Sequence, residues 1–150
     1  MIQKISINSH RLLLFFIGLS PIGGGGILII SPSGKLLGGL PLSILKNSPF
    51  DNFLIPGIIL FLVLGVFPIF IVYALTKKIS SSFAEQLNLF SDMHWAWTFS
   101  IYIAFALIIW IQVETIFIQG VGWLQTFYML YAIPIIITSL LPQTRKTYKK

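Results

Sequence analysis

Four long apolar runs, separated by more polar segments, dominate the hydropathy pattern of this chain. They cover about residues 11–30, 53–75, 94–113 and 121–141, here called spans 1 to 4. Each run is close to the roughly 20 residues that a helix needs to cross the hydrocarbon core of a bilayer. The pattern therefore predicts an all-α fold: a single domain, residues 1–150, built as an integral membrane four-helix bundle.

The composition agrees with a membrane protein. Hydrophobic residues make up 56% of the chain and charged residues only 9%, whereas about 25% of a soluble domain is charged. A soluble domain of 150 residues could not bury so much apolar surface. The absence of cysteine excludes disulfides and thiolate metal sites. The net charge of +6 lies beside apolar spans, so we expect membrane lipids as partners rather than nucleic acid.

The ten Lys and Arg residues are divided unevenly between the two sides that four spans imply. Eight of them flank the N-terminus, the segment between spans 2 and 3, or the C-terminus: Lys4, Arg11, Lys77, Lys78, Arg145, Lys146, Lys149 and Lys150. Lys35 and Lys46 lie on the other side. Cytoplasmic flanks carry an excess of Lys and Arg. Both termini are therefore predicted to be cytoplasmic, with residues 142–150 as a basic tail and Trp95 and Trp97 at the inner interface.

The segment between spans 2 and 3 carries signals for a short helix. Ser82 and Glu85 have the spacing of a capping box, in which each side chain satisfies a backbone N–H group. Apolar residues follow at helical spacing, which predicts a short amphipathic helix at the cytoplasmic interface. Ser91 or Asp92 is predicted to cap span 3.

The segment between spans 1 and 2 is unusually apolar for a connection. Its sequence LLGGLPLSIL predicts either a loop that lies in the outer interface or a lid that folds back over the bundle. Ser48 followed by Pro49 is a typical helix start, with a capping residue and then proline at the first helical position. We therefore expect the helix of span 2 to begin near Pro49.

One stretch resembles a known group of proteins. The sequence PSGKLLGGLPLSILKNSPFDNFLIPG, with HWAW and ALIIWIQVE later in the chain, is similar to small four-span bacterial membrane proteins of no established function. The similarity covers roughly residues 11–141. It implies a bacterial origin and the four-span layout. For a bacterial protein with helical spans we expect a location in the cytoplasmic (inner) membrane. It implies no activity and supplies no catalytic residues.

The sequence SPIGGGG, residues 20–26, places proline and four glycines inside span 1. These residues disfavour a helix interior, and unpaired backbone is not viable where it faces lipid. Gly23, Gly24, Gly25 and Gly26 must therefore face protein. Two interpretations stay open: they let another helix approach closely, or span 1 is broken there and lines a cavity.

Few side chains are candidates for chemistry. Glu114 lies near the outer end of span 3 and could bind a cation, a proton or a ligand amine; alternatively it is an interfacial acid that is either solvated or paired with Lys35 or Lys46. We expect His94 to be the only histidine near a span and His10 to lie in an N-terminal tail. Polar residues of spans 3 and 4, among them Gln125 and Tyr128, could line a pocket or hydrogen-bond between the helices. We expect no cofactor, no metal and no catalytic residues.

Three function classes follow. The first is a non-enzymatic accessory or structural protein that packs with a partner or with itself. The second is a binder or carrier of a lipid, quinone or other hydrophobic molecule near the outer leaflet. The third, a membrane enzyme, has the least support because no catalytic constellation is visible. A small ligand is expected between the four glycines, Lys46 of the outer loop and Glu114.

Overall fold

The four predicted spans form four long helices. The computed structural model describes residues 1–150, apart from the side chain of Ile2. Four helices are long and apolar enough to cross a membrane: Gln3–Ile30 within helix Ile2–Ile30, Leu54–Lys77, Trp95–Ile118 and Trp123–Leu140. A 3-10 helix, Leu42–Asn47, precedes span 2, and a short helix, Ser82–Gln86, precedes span 3. The helix Pro142–Tyr148 follows span 4. The fold is an all-helical, multi-pass bundle.

The chain order puts both termini at one end of the bundle. Four consecutive spans alternate in direction, so the N-terminus, the segment between spans 2 and 3, and the residues after span 4 meet. The Gln3 side chain donates a hydrogen bond to the Thr147 hydroxyl over 3.0 Å, and the Lys78 ammonium donates one to the Thr147 carbonyl over 3.0 Å. We call this the basic end, because eight of the ten Lys and Arg residues lie there.

Span 1 is longer than its apolar run. Its helix begins at Ile2, not near Arg11. The prediction that His10 lies in a tail is therefore wrong: His10 is part of the helix and is completely buried. The polar residues of its first turns find partners on other helices, so the helix continues beyond its apolar part.

Span 1 is also unbroken at the four glycines. One α-helix runs from Ile2 through Pro21 to Ile30, which excludes the interpretation of a local break. A methyl group at Gly25 would come within 2.7 Å of the Phe61 nitrogen and 2.8 Å of the Gly57 oxygen. Because both atoms belong to the backbone, this position has to be glycine for spans 1 and 2 to pack as they do.

Only Gly25 of the four predicted glycines makes this close approach. Gly23 is exposed and would meet nothing within 4 Å, so the prediction that all four glycines face protein is wrong. A second contact of the same kind lies further along the helices, where a methyl group at Gly18 would be 2.8 Å from the Gly65 oxygen. The glycines that pack therefore lie on one face of span 1, and they meet glycines on one face of span 2.

A π-helical stretch, Leu60–Val66, lies within span 2 between its two packing glycines. Gly18 and Gly25 are seven residues apart, about two α-helical turns. Gly57 and Gly65 are eight apart, which on a regular α-helix would turn them about 80° away from each other. A π turn takes up one extra residue, which returns Gly57 and Gly65 to a common face toward span 1.

The residues after span 4 form structure rather than a free tail. In the helix Pro142–Tyr148, Thr144 and Tyr148 are buried, with Tyr148 only 1% exposed. The Arg11 guanidinium donates to the Tyr148 hydroxyl over 3.0 Å and to the Leu75 carbonyl over 3.1 Å. This helix therefore closes the basic end of the bundle.

The local capping predictions were wrong by one or a few residues. Ser81, not Ser82, caps the short helix, because its hydroxyl accepts from the Ala84 amide. His94, not Ser91 or Asp92, caps span 3, because its Nδ1 atom accepts from the Ala96 amide over 3.2 Å. In both cases the side chain that reaches the free amides belongs to the residue that precedes the helix.

Span 2 begins at Leu54 rather than near Pro49. The Ser48 hydroxyl instead donates to the Leu45 carbonyl, where it closes the 3-10 helix. The apolar segment between spans 1 and 2 packs through Leu45 and Phe53 against Leu28, in a small core of its own at the end of the bundle opposite the basic end.

Trp95 and Trp97, which begin span 3, are buried inside the bundle, with exposures of 2% and 1%. The Trp97 indole donates to the Ser139 carbonyl over 2.9 Å, and the Trp95 indole to the Ile79 carbonyl over 2.7 Å. Because a buried indole N–H needs an acceptor, these bonds let both rings belong to the core.

Candidate functional site

A cavity of about 150 Å³ lies between the four spans, in the half of the bundle away from the basic end. Each span contributes to it. Apolar walls come from Leu60, Leu64 and Leu107, and polar or aromatic groups come from Ser20, Trp110, Glu114, Gln125 and Tyr128. Span 1 presents Pro21 and Gly24 to the cavity. Gly24 has no side chain to fill the space, so the sequence of span 1 itself helps to leave it open.

Glu114 supplies the carboxylate of this cavity. It lies on the face of span 3 that also carries Trp110 and Ile111, one turn away. Gln125 of span 4 lines the same cavity, near Glu114. The Gln125 Oε1 atom accepts from the Gly122 amide over 3.0 Å, so its NH₂ group is the part that remains to donate toward Glu114.

Two hydroxyl groups form the opposite polar wall. Ser20 of span 1 and Tyr128 of span 4 are hydrogen-bonded to each other and both line the cavity. A hydroxyl donates one hydrogen bond and accepts others, so this pair can still bond to a guest. The site thus combines one carboxylate, an amide and two hydroxyls with apolar and aromatic walls.

The cavity volume limits what the site can hold. Pockets for drug-sized ligands occupy about 300–1,000 Å³, whereas a cavity of about 150 Å³ accommodates a ring the size of benzene. One ring, one headgroup fragment or a few water molecules would therefore fit. A larger lipid or quinone would have to leave its tail between the helices or in the surrounding bilayer.

The structure brings together part of the predicted site. Glu114 and Gly24 line the same cavity, and so do Gln125 and Tyr128. Gly25 instead packs against span 2, and Gly26 makes ordinary contact with the Phe61 ring at 3.7 Å. Lys46 is exposed on the 3-10 helix and does not line the cavity.

The predicted pairing of Glu114 with a lysine is wrong. No described carboxylate lies within 4.0 Å of Lys35 or Lys46, and the ion pair present joins Lys150 to Glu85. Glu114 is instead within reach of a neutral amide, that of Gln125. The carboxylate thus faces the cavity without a cation beside it.

Sequence reasoning missed a second polar cluster, centred on His10. Its Nδ1 atom is hydrogen-bonded to the Thr138 hydroxyl and its Nε2 atom to the Ser100 hydroxyl, both over 3.0 Å. One turn earlier, Ser6 and Thr144 share a hydrogen bond of 2.8 Å. A neutral imidazole can donate to one hydroxyl and accept from the other, so His10 ties spans 1, 3 and 4 together.

A helical pattern in the sequence could have revealed this cluster. Seven buried residues of span 1 follow each other three or four positions apart: Ser6, His10, Leu14, Ile17, Pro21, Gly25 and Leu28. This is the spacing of one helix face. The polar Ser6 and His10 continue that face toward the N-terminus, beyond the window in which every residue is apolar.

The described residues contain no group of three or more His, Cys, Asp or Glu side chains that could hold a metal ion. Among the same residues, every buried side-chain nitrogen or oxygen atom has a hydrogen-bond partner. The fully buried polar atoms are therefore satisfied by the protein, whereas the Glu114 carboxylate lines an open cavity.

No known protein family, curated protein or solved structure matches this chain. The resemblance to small four-span bacterial proteins therefore stays a prediction. The function has to be argued from the residues of the site.

Proposed function

We propose that this protein is a multi-pass protein of a bacterial inner membrane, with its basic end in the cytoplasm. Eight of the ten Lys and Arg residues lie at that end, and cytoplasmic flanks carry such an excess. A reporter that is active only in the periplasm, fused after Lys150, should be silent, and a reporter that is active in the cytoplasm should work. The opposite result would overturn the orientation.

Within that membrane, the proposed function is the binding of a hydrophobic small molecule, a lipid or quinone, near the outer leaflet. The observation that supports it is the carboxylate of Glu114 in a cavity that all four spans line. Ligand sites are typically apolar with a few polar groups that fix orientation. Here Glu114, Gln125 and the two hydroxyls are those polar groups, and they can bind the polar end of a guest whose tail lies toward the bilayer.

The proposal is tested by measuring which small molecules co-purify with the protein. The full chain is extracted in mild detergent, and bound lipids and quinones are counted per protein by mass spectrometry. Glu114→Gln keeps the size of the side chain and removes its charge, so we expect the occupant to be lost about tenfold, as when a charged hydrogen bond is removed. Lys46→Ala, which does not touch the cavity, is the matched control.

A second variant tests the space rather than the charge. At Gly24 an added methyl group would have the Leu60 Cδ2 atom as its nearest neighbour, at 4.0 Å. The first carbon of a side chain at Gly24 therefore meets no backbone atom within 4 Å, and Gly24→Leu should extend into the cavity and lose the occupant. The absence of any occupant from the wild-type protein, or equal content in Glu114→Gln, Gly24→Leu and Lys46→Ala, would overturn the proposal.

The other expected role, a non-enzymatic accessory protein that packs with a partner or with itself, stays a prediction. It is compatible with ligand binding, because a guest in the cavity leaves the outer faces of the spans free. The oligomeric state of the chain in lipid nanodiscs would test the version with a second copy.

A further inference from the structure

A second pocket, of about 260 Å³, lies at the basic end of the bundle. It is placed where span 4 ends at Leu140 and the C-terminal helix begins at Pro142. Because span 4 is one of the helices that can cross the bilayer, its end lies at the level of the lipid headgroups. This pocket is separate from the Glu114 cavity and shares no residue with it.

Three cationic side chains line this pocket: Arg145, Lys146 and Lys149. Asp92 lines it too, and the remaining lining residues are apolar. None of the three cations lies within 4.0 Å of a described carboxylate; the neighbouring Lys150 is the one that pairs with Glu85, over 2.6 Å. The pocket therefore keeps an excess of positive charge for a guest.

These cations are held on an ordered frame. Thr144 and Tyr148, on the same short helix, are fully buried and bond to Ser6 and Arg11 of span 1. The following backbone is fixed as well: the Lys150 amide donates to the Asp92 carbonyl over 2.9 Å. A disordered basic tail would be attracted to any anionic surface, whereas cations on a fixed frame can surround one particular group.

We propose that this pocket binds a phosphate group, namely that of an anionic phospholipid headgroup at the basic end. Arginine and lysine are the side chains that recognise phosphate, arginine through paired N–H donors and lysine as a point charge. Leu140 and Met93 form the apolar part of the lining, beside which the glycerol and the start of an acyl chain fit.

Native mass spectrometry tests this proposal. The full chain is placed in nanodiscs that mix phosphatidylglycerol with phosphatidylcholine, and the lipids that stay bound after release are counted. The two lipids share a phosphodiester, but phosphatidylcholine also carries a cation, which the pocket repels. We expect the wild-type protein to retain phosphatidylglycerol preferentially.

Charge variants then locate the site. Replacing Arg145, Lys146 and Lys149 by Gln should weaken retention by about fivefold for each cation, or roughly a hundredfold in all. The matched control replaces Lys4, Lys35 and Lys46 by Gln, which removes the same charge elsewhere and should change retention little. Asp92→Asn removes the acid of the pocket and should strengthen retention. Thermal unfolding of each variant establishes that the bundle is intact.

Added inorganic phosphate distinguishes recognition of a free phosphate group from recognition of the phosphate in a lipid headgroup. Displacement of the retained lipid by added phosphate means that the group alone is recognised, whereas resistance means that it is recognised as part of the lipid. Equal retention of the two lipids by the wild-type protein would overturn the proposal. Equal losses in the two triple variants would also overturn it, and so would weaker retention in Asp92→Asn.

Discussion

The two halves of this bundle hold their helices together by different means. Near the basic end, hydrogen bonds do so: His10 bonds to Ser100 and Thr138, and Trp97 bonds to the carbonyl of Ser139. In the other half, spans 1 and 2 meet through glycines, with Gly25 against the backbone at Phe61. The Glu114 cavity belongs to this glycine half.

The two kinds of contact differ in how much space they leave between the helices. Side chains that reach across between helices fill the space they cross, as His10 and Trp97 do near the basic end. Glycines bring two backbones together on one side of span 1 but place nothing on the other side. Gly24, one position from Gly25, faces the cavity, so close packing and an open site come from the same short sequence.

The largest expected loss of stability comes from a substitution in the glycine half, where spans 1 and 2 pack through glycines. Gly25→Ala puts a methyl group within 3 Å of two backbone atoms of span 2, and overpacking of this kind costs about 1–3 kcal/mol. Gly23→Ala, which would meet nothing within 4 Å, is the matched control and should not lower stability. Unfolding in detergent measures both, and equal stability of the two variants would contradict the packing described here.

A smaller effect is expected in the hydrogen-bonded half. His10→Leu keeps a side chain of similar length but removes two hydrogen bonds, and such bonds in membrane bundles contribute about 0.6 kcal/mol each. The expected loss in unfolding free energy is therefore about 1 kcal/mol. Asn8→Ala, on the exposed side of the same helix, should change it by less than about 0.5 kcal/mol. A loss as large as that of Gly25→Ala would mean that the two halves do not differ in this way.

The smallest effect concerns pH at the basic end. The Glu85 carboxylate accepts hydrogen bonds from the Lys150 ammonium over 2.6 Å and from the Asn88 amide over 3.0 Å. Burial alone would raise the pKa of Glu85, but these two hydrogen bonds together with the positive charge of Lys150 leave the pKa below its ordinary value. The stabilisation is thus complete above the unfolded pKa of about 4.3 and is lost as the pH falls through the lower folded pKa.

Acidification below about pH 4 should therefore loosen residues 142–150. Because the chain has no cysteine, a single Lys146→Cys substitution can carry a spin label whose mobility reports the loosening. In a Glu85→Gln background the label should already be more mobile at neutral pH, with a weaker response to acid. The same response in both backgrounds would exclude Glu85 as the group responsible.

The sequence predicted the four spans because about 20 consecutive apolar residues have few other uses. Glu114 was found for a related reason, since an acid next to an apolar run stands out. The start of span 1 was missed because Ser6, His10 and Arg11 look like a solvated flank until their partners are known. Those partners lie about 90 to 140 residues further along the chain, and hydropathy does not record such distant pairs.

The packing glycines show the same limit. GGGG attracts attention in the sequence, yet Gly18, Gly57 and Gly65 carry as much of the helix contact as Gly25 does. Gly57 and Gly65 fall on one face because of the π-helical stretch between them, and that stretch has no visible signature in the sequence. Which glycine of a row meets another backbone depends on the helix phase, and one residue changes that phase by about 100°.

The hydrogen bonds between the first and last parts of the chain also imply an order in which the parts of the bundle form during biogenesis. Gly25 and Gly57 are 32 residues apart, so spans 1 and 2 can pair while the rest of the chain is still being synthesised. Gln3 and Thr147 are separated by 144 residues, and their contact must wait until span 4 has been inserted. We therefore expect the glycine half to form early in biogenesis and the basic end to close last, which leaves Ser6, His10 and Arg11 without their distant partners until then.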